Sequence, residues 1–365
     1  GKYISDFEEN FSNYIGVKYA AAVSNGTGAL DIALQAIGLE KGDEVIVPGF
    51  TIISPISAII RSGAKPVLVD VSLKNYNVEI SDIEQLVTDK TKAILVVHLY
   101  GLCTDMVALR EFCDKRNLIL IEDAAEVHGL VQKDKKIGSF GDISTFSFFA
   151  NKIITCGEGG MVLTSSKHFF KKIKEIRNLC FTDDLPRFVH QDIGYNYRMT
   201  SMQAALGNSQ LSRIDSFLNH RKELVNIYIK HLSRFKSIEL MPTEYNGIIN
   251  VNWVFPILLS DTVNLNSNEF RALLLEKGVD SRSCFCPMNL QPVFKKQGLF
   301  TETYLPKSER LWQKGLYLPL GNGLTHAQID RAAKIVVQVL EQTEHYKLFS
   351  AMCDTQVLNI NFKVN

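Results

Sequence analysis

Short apolar runs alternate with amphipathic stretches across residues 17–164, and this alternation constrains the fold more than any other feature of the chain. The apolar runs predict strands at residues 20–23, 44–47, 66–69, 93–97, 118–121 and 161–164. The stretches between them predict helices at residues 29–37, 55–62 and 105–116. Such alternation favours an α/β domain whose mainly parallel sheet is covered on both faces. In sheets of this kind, ligands collect at the carboxyl ends of the strands.

The rest of the chain predicts a smaller domain of mixed character. Residues 201–235 are strongly helical and are expected to lead out of the large domain. Candidate strands at 253–259 and 279–282 flank a candidate helix at 268–277. We therefore expect a large α/β domain over residues 1–235, a small α+β domain over 236–343 and a surface extension over 344–365.

Composition excludes several classes of function. The 365 residues carry a net charge of +1, so no overall field attracts nucleic acid or an anionic membrane. No apolar run approaches the length of a membrane span, and the seven cysteines lack the paired spacing of a disulfide framework or a zinc site. We expect a cytoplasmic protein without a metal. Because the chain begins at Gly1 rather than methionine, the lack of a targeting signal is weaker support than usual.

Lys152 and Asp123 together predict a particular cofactor chemistry. Lys152 lies between an aromatic-rich run and a Gly-Glu-Gly-Gly turn, so we expect it on a loop in a cleft. Desolvation there favours a neutral amine, which condenses with a carbonyl to form a Schiff base. Asp123 ends a buried strand about thirty residues earlier. A lysine and an acid for a pyridinium nitrogen are what pyridoxal phosphate (PLP) requires. Taken singly, the lysine is also typical of a solvated loop and the aspartate of a helix N-cap.

A glycine-rich turn, Ser24-Asn25-Gly26-Thr27-Gly28, separates the first strand from a helix. Backbone amides at such a helix N-terminus bind anions, so Gly26 and Thr27 are candidates to hold a phosphate, with the Thr27 hydroxyl as an added donor. A purely structural turn explains the glycines equally well. The order of the turn, the acid and the lysine along the chain favours a PLP site.

The segments that surround these residues resemble the sugar aminotransferases of the DegT/DnrJ/EryC1/StrS family. The resemblance runs from Gly1 to about Gln342, and VHLYG, SFFANKIITCGEGGMV and GYNYRMT resemble the GDP-perosamine synthase branch in particular. It implies a fold-type I PLP-dependent transferase with a smaller α+β C-terminal domain. The other matching segments are SNGTGAL, GDEVIVPGFT, IEDAAE and FGDIST.

The resemblance also implies roles for the residues of the lysine motif. Lys152 would form the Schiff base with PLP and then move the proton between the substrate carbon and C4′ of the cofactor. Asp123 would pair with the pyridinium nitrogen, which keeps the ring an electron sink. Glu126 would lie near the 3′-oxygen of the ring.

The resemblance implies that two subunits share each site. Ser147 would bind the phosphate together with Gly26 and Thr27. In the family the GYNYRMT segment comes from the neighbouring subunit, so Asn196 would reach the phosphate of its partner in a homodimer. His190 precedes this segment on a polar loop and is a candidate for the substrate pocket of the partner.

The chain departs from the family pattern at positions that bear on the substrate. Ile52 stands where an aromatic side chain commonly stacks on the cofactor ring, and Phe50 is a candidate substitute. Arg282 fits a family stretch that usually reads RPxFYPxH, whereas Cys286 and Asn289 replace its tyrosine and histidine. We keep Arg282 and Asn289 as candidate substrate-binding residues. The resemblance leads us to expect an N-terminal segment that lines the sugar pocket, and the sequence from Gly1 onward does not include it.

The resemblance implies transfer of an amino group from glutamate to a nucleotide-linked 4-keto-6-deoxy sugar. A dTDP- or UDP-linked sugar, or a 3-keto sugar, is the main alternative. A related dehydratase branch has histidine in place of the lysine, so Lys152 argues against that branch. A catalytically silent relative with a binding role is a further alternative, suggested by Ile52, Cys286 and Asn289.

Overall fold

The computed structural model describes the backbone of residues 1–360 and the side chains of residues 1–343. Its helices are α1 (Lys2–Ile15), α2 (Gly26–Ala36), α3 (Ser54–Arg61), α4 (Ile80–Glu84), α5 (Met106–Arg116), α6 (Lys167–Arg177), α7 (Ser201–Leu211), α8 (Ile214–Leu232), α9 (Ser267–Glu276), α10 (Pro292–Lys296), α11 (Pro306–Lys314) and α12 (His326–Ile360). Its strands are β1 (Tyr19–Val23), β2 (Glu44–Pro48), β3 (Lys65–Val69), β4 (Thr91–Val97), β5 (Ile119–Asp123), β6 (Val131–Gln132), β7 (Lys135–Lys136), β8 (Ile143–Ser147), β9 (Gly160–Thr164), β10 (Ile238–Leu240), β11 (Glu244–Tyr245), β12 (Ile248–Ile249), β13 (Phe255–Leu259), β14 (Arg282–Ser283) and β15 (Gly315–Leu318).

A seven-stranded sheet with the order β1-β9-β8-β5-β4-β2-β3 forms the centre of the first part of the chain. Strand β9 runs antiparallel to both of its neighbours, β1 and β8, while the pairs from β8 to β3 are parallel. Every residue of β2, β8 and β9 is buried, as expected when helices cover both faces of a mainly parallel sheet. The predicted α/β fold class is confirmed.

The predicted strands of this sheet all exist, with ends that differ by one or two residues from the predicted ones. The sequence pattern did not predict β8, α1 or α6. Strand β8 reads Ile-Ser-Thr-Phe-Ser, so its apolar pattern is weak, yet its position between β5 and β9 buries all five residues. The single predicted helix at 201–235 is two helices, α7 and α8, which separate at Ser212 and Arg213.

Contacts along the chain divide it into two compact units that interleave in sequence. The first unit comprises residues 1–221, 242–253 and 285–309, and the second comprises residues 222–241, 254–284 and the described chain from Arg310 onward. The linear division expected from the sequence placed 242–253 and 285–309 in the small domain. Hydrogen bonds explain their place in the first unit, because Val251 N–H donates to the Gly101 carbonyl (3.1 Å) and Met288 N–H to the Gly49 carbonyl (2.8 Å).

The second unit is built on a four-stranded antiparallel sheet with the order β10-β13-β15-β14. Its core includes Tyr228 and Phe255, whose rings stack 4.7 Å apart, and Phe270. The extension expected at 344–365 begins within α12, whose backbone continues to Ile360, and residues 361–365 lie outside the described residues. Within residues 1–360, no helix combines the length and apolar character that crossing a membrane requires.

Candidate active site

Lys152 lies on the loop between β8 and β9, at the edge of the sheet where the parallel strands end. Because β9 is antiparallel to β8, the loop leaves and re-enters the sheet at this same edge. The loop is folded by backbone hydrogen bonds from Lys152 N–H to the Phe149 carbonyl (2.9 Å) and from Cys156 N–H to the Phe148 carbonyl (2.9 Å). The side chain of Lys152 is only 11% exposed, so the loop presents a nearly buried amine.

Asp123 is the last residue of β5 and is buried at the same edge. Its Oδ1 accepts a hydrogen bond from Ala125 N–H (3.1 Å). Burial raises the pKa of the Asp123 carboxyl, and the Ala125 hydrogen bond and the charges of Lys152 and His98 offset only part of this rise. A carboxylate removed from water in this way strongly favours a cationic partner, and a protonated pyridine nitrogen meets that need.

Glu126 follows Asp123 in the turn after β5 and faces Lys152. Its Oε1 lies 3.7 Å from Lys152 Nζ, while its Oε2 accepts a hydrogen bond from Tyr100 N–H (3.1 Å). Burial raises the pKa of the Glu126 carboxyl to about 7, and the Lys152 charge and the Tyr100 hydrogen bond act against burial. Near neutral pH the Glu126 carboxyl group is therefore present in both its protonated and its ionised form.

The glycine-rich turn and Ser147 lie against one another. Strand β1 leads into this turn and then α2, and Ser147 is the last residue of β8. A Cβ on Gly26 would lie 2.8 Å from Cβ of Ser147, so the close approach requires glycine at this position. Thr27 Oγ1 lies 2.9 Å from Ser54 Oγ at the start of α3. The first amides of a helix lack intrahelical acceptors, and with the two hydroxyls they suit a phosphate group.

Ile52 and Phe50 differ sharply in exposure. Ile52 is 51% exposed, whereas Phe50 is fully buried, with its ring packed edge-on against Tyr76, Tyr100 and Phe285. Of these two candidates to cover the cofactor ring, Ile52 is the accessible one.

Three aromatic residues that the sequence pattern did not single out form a wall beside Lys152. Lys152 Nζ lies 4.1 Å from the centroid of the Trp253 ring. The Trp253 ring stacks on Tyr100, with centroids 6.0 Å apart, and Tyr100 stacks on Phe285 at 5.5 Å. One signal for this wall was available, because Tyr100 follows β4 and therefore lies at the same sheet edge as Asp123. Trp253 lacked such a signal, since it stands about a hundred residues from the lysine.

Asn196 and His190 lie on the surface of the single chain. Asn196 is exposed, and its Oδ1 accepts hydrogen bonds from Arg198 Nε (3.1 Å) and Nη2 (2.8 Å). His190 is exposed too, with Nδ1 2.7 Å from the Leu179 carbonyl and its ring 4.6 Å from that of Phe181. Both side chains thus make hydrogen bonds to nearby residues of their own segment.

The two candidate substrate residues from the variant RPxFYPxH stretch lie in different units. Asn289 is buried in the first unit, where its Nδ2 donates to the Thr303 carbonyl (3.2 Å) and to Glu309 Oε1 (2.9 Å). These hydrogen bonds join Asn289 to residues 303–309, later in the chain. Arg282 lies on β14 of the second unit with an exposed side chain.

The sequence profile of the DegT/DnrJ/EryC1/StrS aminotransferase family matches residues 1–337. The chain belongs to this family. It is 40% identical to a GDP-perosamine synthase of Caulobacter vibrioides over 93% of this chain and 91% of that protein. It is 37% identical to a GDP-perosamine synthase of Vibrio cholerae, over 92% and 90% of the two chains.

Solved structures of sugar aminotransferases share the fold. The chain superposes on DesV of S. venezuelae, solved in complex with a ketimine intermediate, with a TM-score of 0.86, 31% identity and coverage of 93% and 90% of the two chains. The chain is thus a PLP-dependent sugar aminotransferase, as predicted from its sequence. The buried Asp123, the nearly buried Lys152 and the cradle at Gly26 and Ser147 fit this cofactor, since they offer an acid, an amine and an anion site.

Proposed function

We propose that this aminotransferase moves an amino group from glutamate to C4 of a GDP-linked 4-keto-6-deoxy sugar. The observation that carries the transamination chemistry is the buried cluster in which Lys152 Nζ lies 3.7 Å from Glu126 Oε1, close enough to Asp123 for their charges to interact. The two GDP-perosamine synthases, at 37% and 40% identity over nine tenths of their length, support the nucleotide and the sugar.

Lys152, Asp123 and Glu126 would each have a separate role in proton transfer and protonation. PLP, when bound, supplies an electron sink for the negative charge that develops at the substrate carbon. The Lys152 amine would hold the cofactor and would move a proton to and from the substrate carbon. Asp123 would favour a protonated pyridine nitrogen, because a buried carboxylate is stabilised by a cation. Glu126, with its pKa of about 7, would be the acid that exchanges a proton near the 3′-oxygen.

The turn before α2 would hold the phosphate of the cofactor. Gly26 and Thr27 present backbone amides, and the Thr27 and Ser147 hydroxyls add donors from either side. An anion bound at this helix N-terminus would help to orient the cofactor toward Asp123 and Lys152. Ile52, half exposed in the loop before α3, would be available to cover the ring by apolar contact.

We also propose a homodimer in which Asn196 completes the phosphate site of the partner. Large apolar side chains stay exposed on either side of Asn196: Phe188 is 71% exposed, Ile193 87% and Met202 84%. We take these exposed apolar side chains as support for an interaction site on this segment. His190, on the same segment, would then face the substrate pocket of the second subunit. Arg282 in the second unit and Asn289 in the first remain candidate substrate-binding residues.

We propose that the enzyme works in a reducing compartment such as the cytoplasm. Among the described residues, Cys103, Cys113, Cys156, Cys180 and Cys286 are free thiols, and all of these except Cys286 are buried. Oxidising compartments instead favour paired cysteines.

A substrate panel tests the proposed activity. The purified chain is loaded with PLP and incubated with glutamate and GDP-, dTDP- or UDP-linked 4-keto-6-deoxy sugars, with 3-keto isomers in parallel. We expect the GDP-linked 4-keto sugar to yield the amino sugar with the highest kcat/KM. Preference for another nucleotide or for a 3-keto sugar would overturn the substrate assignment, and failure of glutamate to convert PLP to pyridoxamine phosphate would overturn transamination.

A further inference from the structure

We propose that Trp253 is a positioning residue for Lys152, and this inference rests on the proposed role of Lys152. The indole contacts the lysine loop at two places. Trp253 Nε1 donates a hydrogen bond to the Asn151 carbonyl (2.9 Å), and the ring face lies 4.1 Å from Lys152 Nζ. One side chain thus fixes both the backbone that carries the lysine and the direction of the amine.

The two contacts act on different degrees of freedom. The hydrogen bond to Asn151 holds the peptide immediately before Lys152, so it limits movement of the loop. The ring face packs against the end of the lysine side chain, which limits the directions in which the amine can point, and it also attracts the amine while this is protonated. On another side the amine meets Glu126 Oε1 at 3.7 Å. Lys152 is therefore held between an aromatic face and a carboxyl group.

The Trp253 ring is itself prevented from turning. It stacks on Tyr100 with an interplanar angle of 10°, and Tyr100 stacks on Phe285 with the same angle. Tyr76 and Phe50 then pack against Tyr100 at angles of 83° and 62°. A ring in such a stack has little freedom to leave its rotamer, so its position relative to Lys152 is set by the wall.

The backbone at Trp253 is anchored from two sides. The buried Arg221 donates from Nη1 to the carbonyls of Asn252 (3.2 Å) and Trp253 (2.8 Å). On the other side Gly101, with φ of +92°, packs so closely that a Cβ would lie 2.7 Å from Asn252 N. Only glycine permits both this φ and this approach. Arg221 and the close approach of Gly101 thus anchor the backbone that carries the Trp253 ring.

Capture of PLP by the full-length chain tests this inference without any sugar substrate. The variants are Trp253→Leu, which removes both contacts, and Trp253→Phe, which keeps a ring and removes the N–H. Trp312→Phe is the matched control, because Trp312 is the other of the two tryptophans and lies in the second unit. Covalent capture is followed by the visible absorption of lysine-bound PLP and by borohydride fixation to the Lys152 peptide.

Pyridoxamine phosphate provides the readout that a purely structural role would change. It fills the same site but forms no bond with Lys152. We expect Trp253→Leu to slow PLP capture about tenfold and Trp253→Phe about threefold, with pyridoxamine phosphate affinity within about twofold of the parent in both. Trp312→Phe should change neither quantity.

Two outcomes would overturn the inference. Unchanged capture rates in Trp253→Leu would mean that the indole does not position the amine. Equal losses in capture rate and in pyridoxamine phosphate affinity would mean that Trp253 only supports the fold. Failure of the proposed function looks different, because borohydride would then leave Lys152 unmodified in the parent chain itself.

Discussion

The lysine centre, formed by Lys152, Asp123 and Glu126, differs from the segment at 188–206 in burial and in the number of contacts that its side chains make within a single chain. Lys152, Asp123 and Glu126 are nearly or fully buried, and each has partners within the chain. Along 188–206, by contrast, Ile193 and Met202 are more than four fifths exposed.

The contrast separates two kinds of inference. A buried, partnered centre has its charges and distances set by its own chain, so single substitutions test it directly. The role proposed for the exposed segment depends on a second subunit, so it is tested by mixing chains.

Replacing Lys152 should lower turnover more than any other substitution proposed, so it is the strongest test of the buried lysine centre. We expect Lys152→Ala to lower turnover by more than about a thousandfold, because acid–base catalysis alone contributes roughly 10²–10⁴-fold and the covalent link is lost too. The melting temperature should stay near that of the parent, since a loop position makes no demand for lysine. Lys41→Ala, at an exposed position, serves as the control. Full turnover by Lys152→Ala would exclude the mechanism.

Asp123→Asn tests whether the buried acid acts on the cofactor. A neutral amide of the same shape cannot stabilise a protonated pyridine, so we expect kcat to fall at least about a hundredfold. The Ala125 hydrogen bond can persist, because the amide oxygen still accepts it. Steady-state kinetics with saturating PLP measure the effect. Activity within about tenfold of the parent would reduce Asp123 to a residue that caps the turn.

Glu126 is the third residue of the lysine centre. Glu126→Gln tests the burial of its carboxyl group through the pH dependence of the free energy of unfolding. Burial raises the pKa of Glu126 from 4.5 to about 7. Between these values the folded chain keeps its proton while the unfolded chain releases it, so stability falls as the pH rises from about 4.5 to about 7. At about 1.4 kcal/mol per pKa unit, the loss is roughly 3 kcal/mol.

Urea unfolding of PLP-free protein at about pH 5 and about pH 8 measures this loss. The glutamine variant should lose less stability than the parent over the interval. Glu158→Gln, at an exposed position in the lysine loop, should behave like the parent. Identical pH dependence in all three proteins would show that Glu126 ionises as an exposed carboxylate does.

Sequence reasoning predicted the sheet well because burial on both faces leaves continuous apolar runs. Each predicted strand of the first unit exists, and Asp123 and the turn at Gly26 lie at strand ends as the alternation indicated. Strand β8 escaped prediction because its burial depends on its neighbours in the sheet, which pair across long stretches of sequence.

Long-range contacts also explain what was missed at the site. Trp253 reads as part of a strand, and only folding brings it to Lys152, about a hundred residues away. The interleaving of the two units has the same origin, since hydrogen bonds to Gly49 and Gly101 draw two later segments into the first unit. The role of the exposed Asn196 could be inferred only from the family resemblance, because that role depends on contacts with a second subunit.

Asn196→Ala should have the smallest effect of the series and bears on the exposed segment. If Asn196 donates to the phosphate of the partner's cofactor, the lost hydrogen bond to a charged group is worth roughly 1.5–3 kcal/mol. PLP affinity should then fall about ten- to a hundredfold, with kcat at saturating PLP nearly unchanged. Equilibrium titration with PLP measures this, and Asn178→Ala, which lies opposite Asn196 in a β-bridge, controls for local disturbance. Unchanged PLP affinity in Asn196→Ala would remove this residue from the phosphate site.

Mixing two inactive or weakened variants decides whether the site is shared. A heterodimer of Asn196→Ala and Lys152→Ala chains contains one site with a native lysine and a native partner asparagine. That site should bind PLP with the affinity of the parent, so activity should return at PLP concentrations too low to saturate the Asn196→Ala homodimer. Chains carrying different affinity tags verify that subunits exchange. If tagged heterodimers form and activity stays at the level of the separate variants, Asn196 acts within its own chain, and the exposed surface at 188–206 serves something other than the neighbouring active site.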